Sequence, residues 1–167
     1  MSEIVEKAEK YVSDLLQDEL DTKFLYHNLR HTQRVVKSTK ELLNYYNLGD
    51  TENEKLLLAA WFHDTGYTKG VETHEKSSCG VARDFLDSHQ YPSAQSDTIC
   101  DIIMATERFH EPENLNEQII RDADASHFAQ KSYWETTDFL KEELNLLGLK
   151  DFSAKEWRDE NIKMFRN

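Results

Sequence analysis

Residues 56–67 read LLLAAWFHDTGY. Leu56 to Phe62 are apolar without a break, and a histidine and an aspartate follow at once. No polar face interrupts that run, so a helix here is apolar on most sides and belongs in a core. Just upstream, Thr51 and Glu54 have the spacing of a capping box, which predicts a helix start at that point. The helix then carries His63 and Asp64 at its end. Adjacent helical residues point about 100° apart, so an ion between the two could take one donor from each. A carboxylate at the end of so apolar a helix is partly desolvated, and such a charge is costly unless paired or coordinated. A cation shared with His63 would offset that cost.

Outward from this helix the chain reads as more helices with short connections. Residues 3–20 place Ile4, Val5, Ala8, Tyr11, Val12, Leu15 and Leu16 at helical spacing. Asn28 is placed to cap a second helix carrying Val35, Val36, Leu42, Leu43 and Tyr46. Residues 74–89 follow the same pattern through Val81, Ala82, Phe85 and Leu86, and Pro92 and Ser93 open a fifth helix. Asn114 and Glu117 form a second capping box, residues 131–147 run to Gly148 as C′ residue, and Ser153 and Glu156 cap a last helix with Trp157 and Phe165. Nothing alternates with period two, and 5 Gly and 2 Pro leave few breaks. The reading is all-α: one domain over residues 1–167, a bundle of roughly seven or eight helices.

The net charge of −12 over 167 residues argues against a non-specific nucleic-acid binder, which needs a basic face to replace counterions. An anionic small molecule can still be held where a metal and local Lys or Arg reverse the sign. Cys79 and Cys100 form no CxxC pair, which fits a reducing cytoplasm. The first ten residues lack the apolar stretch of a signal peptide, and no apolar run nears the ~18 residues that span a bilayer. The expected location is the cytoplasm, with no membrane partner.

Seven histidines give the chain its chemistry. His27 and His31 are four apart and share one side of a helix or its first turn. Asp122 and Asp124 follow Ile119 and Ile120 on a later helix. Imidazole and carboxylate donors together suit a divalent ion such as Mn²⁺, Ni²⁺, Fe²⁺, Zn²⁺, Co²⁺ or Mg²⁺. The aromatics Tyr11, Tyr45, Tyr46, Trp61 and Phe62 fall at core spacing, Tyr67 lies just past the His-Asp pair, and the runs EKLLL and KEEL read as solvated faces.

Four segments carry a resemblance. YHNLRHTQRVV (26–36) resembles the YHNxxHxxxV segment of the HD superfamily of metal-dependent phosphohydrolases, including its cyclic-nucleotide phosphodiesterase branch. WFHDTGY (61–67) resembles its signature helix end, and THEKSSCGVARDFL (73–86) and IIRDADA (119–125) resemble later segments of small bacterial members. The resemblance runs from about Tyr26 to His127, in superfamily order.

The resemblance implies an HD-domain fold with His31, His63 and Asp64 as metal ligands. Its fourth ligand is the aspartate of an Ala-Asp pair, which matches Asp124; Asp122 is the competitor, since two residues apart on a helix is about 200° and both do not reach one ion. His27 matches the proton donor to the leaving group in the phosphodiesterase branch, read equally as a structural histidine. Asp64 or Asp124 would help orient the attacking water while holding the ion. Some members carry a second metal, for which His74, Glu75 and His110 are the candidates. Thr106 stands near where such members place a histidine, which favours one tight ion. His74 is then read as lining the pocket, beside a weaker second ion, with an exposed helix start as the alternative for His74 and Glu75; His89 and His127 read as surface or packing residues. Arg30, Lys69, Lys76, Arg108 and Arg121 flank the motifs as solvated charges that could steady a phosphate.

The implied activity is hydrolysis of a phosphate mono- or diester of a nucleotide or other small molecule, with metal-activated water as nucleophile. Alarmone hydrolases follow HD with an acidic pair where Tyr67 and Thr68 stand, and the GYP element of cyclic-dinucleotide hydrolases is absent. Two other readings stand beside it: a non-catalytic metal- or nucleotide-binding sensor, and a di-iron oxygenase of the same fold. The complete ligand set favours catalysis. The partner is a small phosphorylated substrate, and a homodimer is compatible with the helical faces.

Overall fold

A computed structural model describes residues 2–164. Eight α-helices run in order: α1 (Glu3–Glu19), α2 (Leu29–Tyr46), α3 (Asp50–Phe62), α4 (His74–Ser88), α5 (Ser93–Met104), α6 (Leu115–Asp124), α7 (Tyr133–Leu146) and α8 (Ala154–Met164). Short 3-10 turns follow α3 at Thr65–Thr68 and α6 at Ala125–Ala129. The described residues contain no strand, so the chain is all-α. Among the described residues no helix is long and apolar enough to cross a membrane.

Helix α3 is the centre. All of Leu56–Phe62 is buried, with α1, α2, α5 and α6 packed around it. Phe62 meets the rings of Tyr11 (6.1 Å) and Phe85 (5.2 Å) across the α1 and α4 sides. Removing a buried side chain of this size leaves a cavity on every side, at a cost of about 2–5 kcal/mol for Leu58→Ala. The aromatic expectation needs one correction: Trp61 and Phe62 are core, but Tyr45 is 81% exposed and Tyr11 and Tyr46 are only half covered.

The caps fix where the helices begin and end. Asn28 is extended, and its side chain accepts from the N–H groups of Arg30 (3.0 Å) and His31 (3.4 Å). Ser153 and Glu156 form the expected box, each side chain bonding the other residue's N–H. Gly148, at φ +68°, closes α7: its N–H bonds Asn145 O and that of Leu149 bonds Leu144 O, the paired bonds of a Schellman ending. Asn114 caps α6 as expected, but Glu117 answers to the Asn114 side-chain amide and the Glu113 N–H. The expected Thr51–Glu54 box does not form. Helix α3 starts earlier, at Asp50 with Gly49 as cap, and the Glu54 carboxylate accepts from Tyr91 Oη (2.7 Å). Phe165 lies outside the described residues.

One close approach sets the geometry beyond α3. Gly66, in the first 3-10 turn, lies against the start of α4; a Cβ there would sit 1.9 Å from His74 O and 2.7 Å from Ser78 N. The Ser78 hydroxyl locks the contact, donating to His63 O (2.6 Å) and accepting from Gly66 N (2.8 Å). The start of α2, the end of α3, the start of α4 and the end of α6 thereby meet at one place.

Candidate metal centre

His63 is the last α-helical position after α3, at φ −51° and ψ −37°. Asp64 leaves the helix at φ −108° and ψ 4°, in the bridge region, and this turn brings its carboxylate round beside the His63 ring. His31 reaches the same point from the first turns of α2, and Asp124 from the last turn of α6. His31 Nε2 lies 3.1 Å from Asp64 Oδ2, 3.1 Å from Asp124 Oδ1 and 3.2 Å from His63 Nε2. His63 Nε2 lies 3.2 Å from Asp64 Oδ2 and 3.8 Å from Asp124 Oδ1. Donors held about 2.1 Å from one ion at angles of 90–110° stand about 3.0–3.4 Å apart, which most of these separations match. His31, His63 and Asp124 each place one ligand atom within 4.8 Å of the other two, as a metal-binding group of three would.

The charges ask for a cation. Asp64 Oδ2 is buried and has no hydrogen-bond partner. Burial works against the Asp64 carboxylate, but the His63 and His31 rings outweigh it and hold its pKa well below the ordinary value. Burial likewise pushes the His63 imidazole down, yet the Asp64 and Asp124 carboxylates raise it to about 9. With no metal, a proton on the His63 imidazole offsets part of the charge of the two carboxylates. A divalent ion would do the same work with the donors left deprotonated. His63 Nδ1 donates to Ala60 O (2.9 Å), which leaves Nε2 as the free lone pair a ligand needs. His31 differs: Arg34 Nη2 donates to its Nδ1 (2.6 Å), so the ring's proton sits on Nε2 among the carboxylates. To hold an ion through Nε2 as a neutral ligand, His31 would carry its proton on Nδ1 instead, with the Arg34 guanidinium turned away.

Beside the four donors stands a second histidine system. His27 precedes the cap of α2, and its ring centroid lies 5.6 Å from that of His31. Its Nδ1 donates in a very short bond to Glu143 Oε1. Glu143 Oε2 accepts from the N–H groups of Tyr26 (2.7 Å) and His27 (3.0 Å), so one carboxylate fixes ring and backbone together. Burial lowers the His27 pKa, but the Glu143 bond and the fields of Asp64 and Asp124 raise it above the ordinary histidine value. The reading of KEEL as a solvated face is corrected here: Glu143 is 1% exposed. Tyr67 lies beneath, 4.7 Å from the His27 ring and stacked on His74 at 4.0 Å. His74 Nε2 is 3.8 Å from Asp64 Oδ1 and 3.3 Å from Glu75 Oε1, at the edge of the cluster rather than on an exposed helix start.

Several candidates stand elsewhere. Asp122 is exposed, turned away from Asp124 by the helical rotation between them. His110 does not pair with His74. It bonds Glu117 Oε2 (2.8 Å) near the start of α6, whereas Asp124 ends that helix, about 10 Å along its axis. Arg121 is spent on Ala105 O (2.6 Å) and Glu107 O (2.8 Å), and Lys69 lies 3.4 Å from Glu19. Arg108 covers Phe109, and Arg30 and Lys76 are largely in solvent. His127 is a buried packing residue, 3.0 Å from Tyr26 Oη, and burial with the Arg34 charge lowers its pKa to about 4. His89 packs on Phe85 at 4.4 Å.

The family described as HD domain matches residues 28–129. No curated protein and no solved structure matches the chain.

Proposed function

Because the chain belongs to the HD-domain family, whose members are mostly metal-dependent hydrolases, we propose that it is a phosphohydrolase acting on a phosphate mono- or diester of a nucleotide or similar small molecule. His31, His63, Asp64 and Asp124 would hold the divalent ion. The observation that carries this is Asp64 Oδ2, a buried oxygen with no hydrogen-bond partner, 3.1 Å and 3.2 Å from two imidazole nitrogens. A buried acceptor left unmade costs about 1–3 kcal/mol, more if charged, and an ion removes that cost. Bound there, a divalent cation supplies Lewis acidity toward a phosphoryl oxygen and a lowered pKa for water.

The chain's own residues do the rest. Against the pull of burial, Glu143 raises the His27 pKa, and 22% of the side chain is exposed, so His27 can pass a proton to a departing alkoxide. Glu143 keeps the ring in place and fixes its proton-bearing Nδ1, which leaves Nε2–H for the leaving oxygen. Tyr67, packed between His27 and His74, walls the site from the core. A second ion, as a di-iron oxygenase needs, lacks the His74–His110 pairing.

The test is to purify the protein without chelator, measure bound metals by elemental analysis and screen phosphate esters. About one transition-metal ion per chain with metal-dependent phosphate release supports the assignment. No metal, and no activity after adding Mn²⁺, Ni²⁺, Zn²⁺ or Mg²⁺, moves it to a sensor or binding domain.

A further inference from the structure

Cys79 and Cys100 are far apart in sequence, and the fold sets them face to face. Helices α4 and α5 form an antiparallel hairpin joined by residues 89–92, with Arg83 of one paired to Asp97 of the other at 2.6 Å. One turn further along, Cys79 Sγ donates to Cys100 O (3.5 Å) and Cys100 Sγ donates to Cys79 O (3.8 Å). Each sulfur thus lies over the other residue's backbone. Both thiols are free and buried, with exposures of 9% and 4%. The neighbouring Cys100 raises the Cys79 thiol, Cys79 in turn lowers Cys100, and the Arg83 guanidinium favours the thiolate at both. Neither residue touches the metal donors.

We propose that Cys79 and Cys100 are an oxidisable thiol pair, which a small hydroperoxide converts to an intramolecular disulfide that clamps α4 to α5. The Cys100 thiolate attacks the terminal oxygen of the hydroperoxide; the O–O bond breaks, an alcohol or water leaves, and Cys100 becomes a sulfenic acid. The Cys79 sulfur then attacks Cys100 Sγ, the S–O bond breaks, and water leaves with the Cys79 proton. Two thiols are oxidised by two electrons in all, and one O–O bond is reduced. A small oxidant suits sulfurs this covered, and a second thiol facing the first across the hairpin favours the disulfide over further oxidation. The clamp lies one residue beyond Ser78, whose hydroxyl holds both His63 O and Gly66 N, so the bond would stiffen the packing that supports the end of α3.

The experiment treats the full-length protein, as purified, with hydrogen peroxide, then catalase, then alkylates it under denaturing, non-reducing conditions. The expected intact mass is that of the chain less two hydrogens, with neither cysteine alkylated. Digestion should yield one Cys79–Cys100 linked pair, lost on adding dithiothreitol. Closing a loop of this length should raise Tm by up to about 10 °C. In Cys79→Ser or Cys100→Ser the remaining sulfur should gain oxygen instead. Full alkylation of both cysteines after peroxide, oxygen addition to one sulfur in the unmutated chain, or a disulfide only between two chains would overturn the proposal. The unmutated chain decides the matter even if a variant fails to fold. Phosphate release enters none of these readouts, so the pair stands or falls separately from the hydrolase assignment.

Discussion

Replacing Gly66 by alanine adds a single methyl group where the backbone leaves no room. The new Cβ would lie 1.9 Å from His74 O and 2.7 Å from Ser78 N, and both obstacles are main chain. Relief to about 3 Å needs the 3-10 turn and the start of α4 to separate by roughly 1 Å, because neither has a rotamer to change. That movement also pulls the Ser78 hydroxyl from His63 O and Gly66 N. Overpacking of this kind costs about 1–3 kcal/mol, and the backbone contact argues for the upper end. In a chain of this length each kcal/mol lowers Tm by about 2–4 °C, so a loss of about 6–12 °C is expected. Gly80→Ala is the internal control. Gly80 is exposed in α4, with nothing within 4 Å of the added Cβ, and alanine there should raise stability by about 0.5–1 kcal/mol. Differential scanning calorimetry of the three proteins, with metal content measured alongside, tests both signs. A Gly66→Ala protein that melts with the parent would refute the close approach and the placement of α4.

Other perturbations separate the roles of the polar groups. Glu143→Gln should keep the metal, lower the His27 titration midpoint seen by NMR, and slow turnover on substrates with poor leaving groups; an unmoved midpoint would remove Glu143 from the site. Because Glu143 raises the folded-state pKa of His27, the pair's stabilisation is full below the unfolded value of about 6.5 and fades as pH rises through the folded one. The stability gap between Glu143→Gln and the parent, about 1–3 kcal/mol in acid, should therefore narrow toward alkaline pH, and a constant gap would contradict the ion pair. Asp124→Ala should lose metal while Asp122→Ala retains it, by elemental analysis; the reverse would exchange the two assignments. Chelation should lower Tm reversibly, by about 4 kcal/mol of stability if the ion is held at 1,000 times its Kd, and an unchanged melt would show that the donors hold none.

Much of this was legible locally. Asn28 caps α2 because its own side chain reaches Arg30 and His31, and a seven-residue apolar run has nowhere to go but the core. Asp122 and Asp124 differ through helical rotation alone, but which of them faces inward required the packing of α6. Glu143 was hidden for a different reason. In KEEL it has no local mark, and its partners Tyr26 and His27 lie more than a hundred residues earlier. The Thr51–Glu54 box failed through a similar long-range claim, since Tyr91 takes the Glu54 carboxylate. The thiol pair was invisible too, because spacing within one strand of sequence says nothing about a helical hairpin.

The stretch that matches the HD domain begins one residue after His27 and ends fourteen before Glu143. A fragment trimmed to residues 28–129 would keep the four donors proposed for the ion and discard both halves of the pair proposed to handle the proton. Helix α7, outside that stretch, reaches back to Tyr26 and His27 through the Glu143 carboxylate. Recombining such domains between chains at the matched borders would transplant the proposed ion site and leave the proposed acid behind.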